Sequence, residues 1–445
     1  MLPEEFFSCI CGPPLTTNTA LAKDVGIYAH TLWPTYAAKS SFKKSSAPIN
    51  CLAVSDSHVF AAQHEKAYVH VYSRLRGNQE AFVAFPERIR CLTLINDVLI
   101  LGTAEGRIML WEYCTGRLVS TPPCHVQAVS CLAVTPYHLL TGSEDSNISV
   151  WNLAQLLQLD ATAEHEPDRS LSNHRGAVTS LVAGQSTNED TSVCVSASKD
   201  KTCIVWNYQT GAVLRTLLFP SFPLCAVLDP GTRALYVSTE DKSIYSVELF
   251  AEKALLGQQS EEASSTVVQV TAPFGVAPAE SGPASCLAVT YDGTVLLSGH
   301  PQGQIHIWNL GDSSANTSTR ELANLNAAVT NLVFVSPLSS TSPTKAWTIV
   351  KPTQAERSYT LTTHFEEDLG ADTKFNSLLN TPGFSQEVLD RAALAFQQPA
   401  ASGAGDPEMQ RQIDELWQII NEQKILQKET VQKLAEAKLA KLARS

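Results

Sequence analysis

A cysteine-led apolar tetrapeptide returns at intervals along this chain. "CLAV" begins at Cys51, Cys131 and Cys286, and a near-copy, "CLTL", begins at Cys91, so that Cys51, Cys91 and Cys131 lie 40 residues apart. A period of that size implies one small supersecondary unit built again and again. Such a unit buries its faces only against its neighbours.

Each tetrapeptide is followed by a second apolar run, a polar turn, and a third run that usually ends on an aromatic residue. From Leu99 the chain reads "LILGTAEGRIMLW", from Leu139 "LLTGSEDSNISVW", from Val193 "VCVSASKDKTCIVW", from Leu235 "LYVSTEDKSIYSV" and from Leu296 "LLSGHPQGQIHIW". A weaker copy, "VFAAQHEKAYVHVY", starts at Val59, and the six copies end at Tyr72, Trp111, Trp151, Trp206, Val247 and Trp308. Runs such as "NISVW" are short and rich in Ile and Val, as expected of strands packed on both faces. The intervening "EDSN", "KDKT" and "PQGQ" supply tight-turn conformations and side-chain bonds to the turn backbone. Each copy therefore predicts a small antiparallel meander, and meanders stacked radially give an all-β propeller.

"SEDSNISVWNL" (143–153) and "SKDKTCIVWN" (198–207) carry a closer likeness, for they resemble WD repeats. That resemblance implies a hydrogen-bonded network in each blade, formed by a His before the first strand, a middle-strand Ser or Thr, a turn Asp and the Trp. At matching positions one blade would use His125, Thr141 or Ser143, Asp145 and Trp151. The next would use His174, Ser196 or Ser198, Asp200 and Trp206, and we take Ser143 and Ser198 as the hydroxyl members. Tyr72, Trp111 and Trp308 would anchor other blades. The copy ending at Trp111 has Glu105 and Gly106 at its turn and no matching His, and the copy ending at Val247 keeps Asp241 without a Trp. The expected architecture is a seven-bladed WD-repeat propeller over residues 1–370. Its last blade would be closed by N-terminal strands pairing with strands from 329 to 365.

Two connections exceed the period: residues 153–173, whose first half suits a short helix, and the Ser-, Ala- and Pro-rich stretch 250–284, which reads either as disorder or as a partner-binding loop. Residues 371–407 have linker composition. Residues 408–445 lack Gly and Pro and are dense in helix formers, with Asp406 as cap, Pro407 at the first turn and basic residues trailing. One long helix is predicted, with Ile413, Leu416 and Ile420 at 3-4 spacing and Trp417 alongside. The stripe suits self-pairing or docking in a partner's groove.

Charge narrows the function classes. The 445 residues carry a formal net charge of −12, which opposes nucleic-acid binding by the surface as a whole. Residues 1–90, however, hold nine Lys and Arg against seven Asp and Glu. Lys39, Lys43 and Lys44 there, followed by Arg74, Arg76, Arg88 and Arg90, could meet RNA or an acidic partner, or could be ordinary solvated side chains. The N-terminus lacks the basic start of a signal peptide, and no apolar run approaches a membrane span, so a reducing intracellular setting is expected. We find no G-x-S-x-G, H-E-x-x-H or P-loop signature. Cys9 and Cys11 are read as core rather than metal ligands, and neither a cofactor nor catalysis is expected.

Beyond the generic repeat, "AAQHEKAYVHVYS" (61–73), "PERIRCL" (86–92), "GRIMLWEYCTGRLV" (106–119), "LLFPSFPLCAVLDPGTRALYVSTEDKSIYSVEL" (217–249) and "NAAVTNLVF" (326–334) are together similar to one family. It is the WD-repeat subunit, in its fungal form, of the nuclear pre-60S ribosome-assembly complex needed to process the second internal transcribed spacer of pre-rRNA. The resemblance implies a scaffold that joins a helical-repeat subunit and a smaller helical subunit, in a complex containing two copies. It further implies docking on late pre-60S particles, work with a dynein-like AAA ATPase, and residence in nucleolus and nucleoplasm. A propeller alone leaves other scaffolds open, such as a ubiquitin-ligase substrate receptor or a chromatin scaffold.

Overall fold

A computed structural model describes residues 4–12, 15, 25–158, 165–186, 188, 191–250, 267–311, 319–335 and 348–352, together with helical positions between Glu415 and Lys433. The chain divides into two units, 1–363 and 364–445.

Seven sheets make up the first unit. From the inner strand outward, blade 1 comprises Leu52–Val54, His58–Ala62, Tyr68–Ser73 and Gln79–Ala84. Blade 2 comprises Ile89–Ile95, Val98–Thr103, Ile108–Glu112 and Leu118–Ser120. Blade 3 is Val129–Val134, His138–Ser143, Ile148–Asn152 and Arg169–Leu171. Blade 4 is Val178–Ala183, Val193–Ser198, Thr202–Asn207 and Ala212–Leu218. In blade 5, Pro223–Leu228, Ala234–Thr239 and Ser243–Glu248 are edged by the two-residue Gly275–Val276. Blade 6 contains Cys286–Val289, Val295–Gly299, Gln304–Asn309 and Arg320–Asn324.

Blade 7 is composite: Ala328–Val335 supplies the inner strand, and Glu4–Cys11, Val25–Trp33 and Ala37–Lys43 supply the rest. Its inner junction runs Glu5 to Val335 through Cys11 to Ala328. Each inner strand neighbours the next, and blade 7 returns to blade 1. The expected seven-bladed propeller is therefore present. Such a ring leaves no open edge at its centre.

The inner strands share a detail that the cysteine repeat foreshadows. In blades 2 to 5 a register shift sits one residue before the "C" position, so Arg90, Ser130, Thr179 and Leu224 are bulged out of the ladder. A bulge re-aims one side chain and increases local twist. All four residues line a cavity of about 810 Å³ on the axis, at the face that carries the turns between second and third strands. That face is called the upper one below.

The long connections are partly built into the sheets. Leu153–Leu156 is a single helical turn, capped when the Asn152 side chain accepts from the Ala154 N–H. In the second connection, Val267–Gln269 adds a fifth, parallel strand to blade 4 and Gly275–Val276 edges blade 5. Within 250–284, foreseen as wholly or partly disordered or as a partner-binding loop, Val267–Gln269 and Gly275–Val276 are ordered as strands. Residues 251–266 lie outside the described residues, as does the expected linker 371–407.

In the second unit Glu415, Trp417–Ile419, Asn421–Leu426, Lys428–Thr430 and Lys433 are helical. Thr430 Oγ1 donates to the Leu426 carbonyl four residues back, as a helical hydroxyl can. Ile413, Leu416 and Ile420 of the predicted stripe lie outside the described residues, while Trp417 is 56% exposed.

Candidate functional site

Blade 4 holds the fullest version of the expected network. Trp206 Nε1 donates to Ser196 Oγ at 2.8 Å, and Ser196 Oγ lies 2.7 Å from His174 Nε2. His174 Nδ1 lies 3.0 Å from Asp200 Oδ2. A carboxylate only accepts, so Nδ1 carries the proton, Nε2 accepts from the Ser196 hydroxyl, and that oxygen accepts from the indole. The polar line runs from blade core to surface turn with every member satisfied, as buried polar groups require. Asp200 also accepts from the N–H groups of Arg175 (2.9 Å) and Thr202 (3.0 Å) and from the Thr202 hydroxyl (2.6 Å). Burial alone would raise its carboxyl; the bonds from His174, Thr202 and Arg175 outweigh burial and hold it well below the usual range.

Blade 3 repeats the arrangement more loosely. Trp151 Nε1 donates to Thr141 Oγ1 at 3.2 Å, and His125 Nε2 lies 2.8 Å from the same oxygen. His125 Nδ1 is 3.4 Å from Asp145 Oδ2. Burial pushes the His125 pKa down, against the pull of Asp145. Asp145 instead accepts from the N–H groups of Val126 and Asn147, both at 2.9 Å.

The bridging hydroxyl is therefore Thr141 in blade 3 and Ser196 in blade 4, which corrects the choice of Ser143 and Ser198. The reason is alternation: strand residues two apart share a face, so both candidates look alike in sequence, but only Thr141 and Ser196 sit level with the indole. Ser143 and Ser198 belong one layer higher, donating to the carbonyls of Ala128 (3.0 Å) and Gly176 (2.8 Å). They also accept from the Asp145 and Asp200 N–H groups, so they hold the turn that presents the carboxylate.

Other blades satisfy the same demand by other means. In blade 6, Trp308 Nε1 donates to Ser298 Oγ (2.8 Å), and the histidine is His300, from the turn, whose Nδ1–H donates to the Gly282 carbonyl at 2.9 Å. In blade 7, His30 occupies the register position of the Trp, opposite Phe6, and its Nε2 is 2.8 Å from Ser8 Oγ. In blade 1, Tyr72 donates to the Lys43 carbonyl (2.8 Å). Blade 2 has Leu101 where the hydroxyl belongs, and the Trp111 indole donates to the Val350 carbonyl at 3.1 Å, 239 residues along the chain. Val350 N–H in turn donates to the Tyr113 carbonyl (2.8 Å), so the segment after the last strand crosses back to blade 2. His300, His30 and Val350 were missed by the sequence reading. For His300 the signal was "SGH" in place of "TGS"; for Val350 there was none.

Gly106 explains the departure of the blade 2 turn from the WD pattern. It has φ +77°, and a Cβ there would meet the His125 carbonyl oxygen at 2.2 Å. The missing side chain makes room for the loop that delivers His125 to blade 3. A model of the WD domain, G-beta repeat, matches residues 116–152 and 165–207. Each match starts at or before the outer strand of one blade and ends on the third strand of the next, which is how such repeats lock neighbouring blades. Those two stretches are similar to WD repeats.

The chain is 30% identical over 267 residues to the "Pre-rRNA-processing protein IPI3" of Yarrowia lipolytica, covering 59% of this chain and 62% of that one. It is 24% identical over 297 residues to the "Pre-rRNA-processing protein crb3/ipi3" of Schizosaccharomyces pombe, covering 61% and 66%. It is 30% identical over 258 residues to "WD repeat-containing protein 18" of Danio rerio, covering 57% and 58%. The matches thus span about three fifths of these relatives' length.

Chemically, Ser196, His174 and Asp200 are ordered like a hydrolase triad, but Ser196 is fully buried with the Trp206 indole already bound to it. No substrate carbonyl can approach that oxygen. Among the described residues no three His, Cys, Asp or Glu side chains converge as a metal site. Cys9 lies in the core shared by blades 7, 1 and 2, and Cys11 takes a hydrogen bond from Ser46.

The N-terminal basic residues do not form one free patch. Lys39 is ion-paired with Glu5, whose other oxygen is 3.4 Å from Arg74. Arg74 is buried, and Arg90 pairs with Glu144 at 2.8 Å on the upper cavity rim. Lys43 and Lys44 remain exposed at the end of blade 7's outer strand.

The network carries a measurable consequence. Ser196→Ala should leave the Trp206 and His174 ring nitrogens unpaired in the core and lower unfolding stability by about 2 kcal/mol. Val126→Ala, at a side chain 91% exposed, should cost under about 0.5 kcal/mol. Equal urea midpoints for the two variants would show that the relay contributes nothing.

Proposed function

We propose that this chain is a non-enzymatic scaffold of ribosome biogenesis, a subunit of the pre-60S complex that supports removal of the second internal transcribed spacer. The observation that carries the reading is its similarity, through the propeller, to proteins whose names record pre-rRNA processing. The described chemistry accords with a scaffold: the Ser, His and Asp groups of blades 3 and 4 are occupied with holding the blades together.

On this reading the chain works in the nucleolus and nucleoplasm. Its partners are a helical-repeat subunit and a smaller helical subunit, in a complex with two copies, on late pre-60S particles served by a dynein-like AAA ATPase. The C-terminal helix, with Ile413, Leu416, Trp417 and Ile420, is the assembly element. Trp417, Ile419, Ile425 and Leu426 are exposed apolar residues on it, of the kind that association surfaces use.

Purification of the tagged full chain, with mass spectrometry of bound proteins and sequencing of bound RNA, tests this. Pre-60S proteins and spacer-containing pre-rRNA are expected, and I413D/L416D/I420D should lose the helical subunits while retaining a folded propeller. Recovery of cullin machinery or chromatin subunits from the unaltered chain would replace the reading with that of a ligase receptor or chromatin scaffold.

A further inference from the structure

The seam between the outer strands of blades 7 and 1 combines two features that blade packing does not need. Tyr68 and His70 lie on the third strand of blade 1, and Phe82 lies opposite His70 on its outer strand. Their rings form one cluster: Tyr68 to Phe82 is 4.5 Å, Tyr68 to His70 is 5.8 Å and nearly parallel, and His70 to Phe82 is 5.7 Å. Strand alternation turns Phe82 outward, leaving it 45% exposed at the edge of the cluster.

One lysine side chain lies by these rings, and the backbone of two more borders the seam. Lys66 Nζ sits 5.4 Å from the Tyr68 ring centroid. Across the seam, the Lys43 carbonyl accepts from Tyr72, whose hydroxyl is 3.2 Å from His70 Nδ1. The Lys44 carbonyl also faces His70. Lys44 has φ +65°, so the chain turns sharply as it leaves blade 7 beside the rings. Lys43, Lys44 and Lys66 are exposed, and none forms an ion pair among the described residues, whereas Lys39, Arg74 and Arg90 do. Glu65 is the acid nearest in sequence, on the same turn as Lys66. On a chain with net charge −12, three exposed lysines without ion pairs among the described residues, at the seam that presents Phe82, are a local exception.

We propose that this seam is a platform for single-stranded RNA, with a base stacked on Phe82 at the edge of the ring cluster and neighbouring phosphates held by Lys43, Lys44 and Lys66. Exposed ring faces flanked by cations are what an unpaired strand uses, since every base offers a π-face and every linkage a charge. An acidic peptide would use the lysines and gain little from the rings; a duplex would hide its base faces. The choice of RNA over DNA rests on the pre-rRNA-processing reading.

The test is fluorescence anisotropy of the full-length chain with a labelled single-stranded RNA of about 12 nucleotides at several salt concentrations. Binding should weaken as salt rises. Phe82→Ala should weaken it about tenfold, since stacking is worth roughly 1–3 kcal/mol per base, and Phe82→Trp should retain it. K43E/K44E should weaken binding and flatten the salt dependence by about 1.4 in logarithmic slope, at about 0.7 per phosphate contact.

Absence of RNA binding by the unaltered chain, an unchanged affinity in Phe82→Ala, or full displacement of RNA by polyglutamate with Phe82 irrelevant would overturn the proposal. The last outcome would mark an acidic partner instead. Recovery of pre-60S particles separates the two readings. Intact recovery with Phe82→Ala binding RNA normally defeats the platform alone. Loss of recovery by the unaltered chain, with RNA binding still dependent on Phe82, defeats the processing role alone.

Discussion

Gly102→Ala is expected to lower the unfolding free energy by about 3 kcal/mol, the upper part of the range for forcing an extra methyl into a packed core. A Cβ at Gly102 would lie 2.5 Å from Cys91 Sγ and 2.7 Å from Val129 Cγ1, closer than atoms in a folded core approach. Neither neighbour can retreat easily, because Cys91 belongs to the inner strand of the same blade and Val129 to the inner strand of the next. The same contacts recur at Gly142, against Cys131 and Val178, and at Gly299, against Cys286 and Val329.

The unit repeated through these blades is thus a thiol, a glycine beside it and a branched residue across the seam. The Cys51 and Cys91 thiols reach the backbone of the following blade, donating to the carbonyls of Arg90 at 3.2 Å and Val129 at 3.4 Å. Burial pushes the Cys131 thiol up to about 12, so it stays protonated and able to donate at neutral pH. Urea midpoints check the prediction. The double variant C91A/G102A should recover part of the loss by removing one of the two collisions, because neighbouring substitutions couple. A Gly102→Ala midpoint equal to that of the parent would show that the seams are slack and that the cysteine period has another cause.

Those seams also explain what could be read in advance. The period of "CLAV" exposed the blades because the same small position is needed at successive seams, and the aromatic ends of the third strands exposed their order. Pairing of N-terminal strands with a strand near 329 was legible because the six anchored copies left strands at both ends of the propeller region; of the expected span 329–365, only Ala328–Val335 is a strand among the described residues. The choice between Thr141 and Ser143, or Ser196 and Ser198, was not legible: period 2 places both on the same face, and only strand register tells which faces the indole. His30 was hidden for a related reason, since a register set by pairing with the Ser8 strand decides that His30, not Trp33, stands level with the other tryptophans. The Val350 contact is a long-range substitution for the missing hydroxyl at Leu101. No local pattern announces a partner 239 residues away.

Acidification should destabilise the propeller well before its carboxylates titrate. Burial holds the His30 pKa down at about 4. Burial, with His306 nearby, holds His300 at about 4 against the opposing pull of the Gly282 carbonyl. An unfolded histidine titrates near 6.5. Above that pH both rings are neutral in the folded and unfolded chain, and their contribution is fully present. As the pH falls below about 6.5 the unfolded chain takes up protons that the folded chain refuses, so stability drops until the folded pKa near 4 is reached. Each ring would account for about 3 kcal/mol across that window. Asp200 acts in a separate range: its carboxyl is depressed, so its contribution holds above the unfolded value near 4 and is lost only below it. Urea midpoints at about pH 7.5 and pH 4.5 bracket the histidine window while leaving Asp200 ionised in the fold. The parent should lose most of its midpoint over this interval. H30F/H300Q, though weaker at the higher pH, should lose much less, because neither replacement can take up a proton. A parent midpoint that is flat across the interval would mean that both rings accept protons in place. In that case the ring beside Ser8 and the ring beside Ser298 would be reached by water rather than sealed between blades.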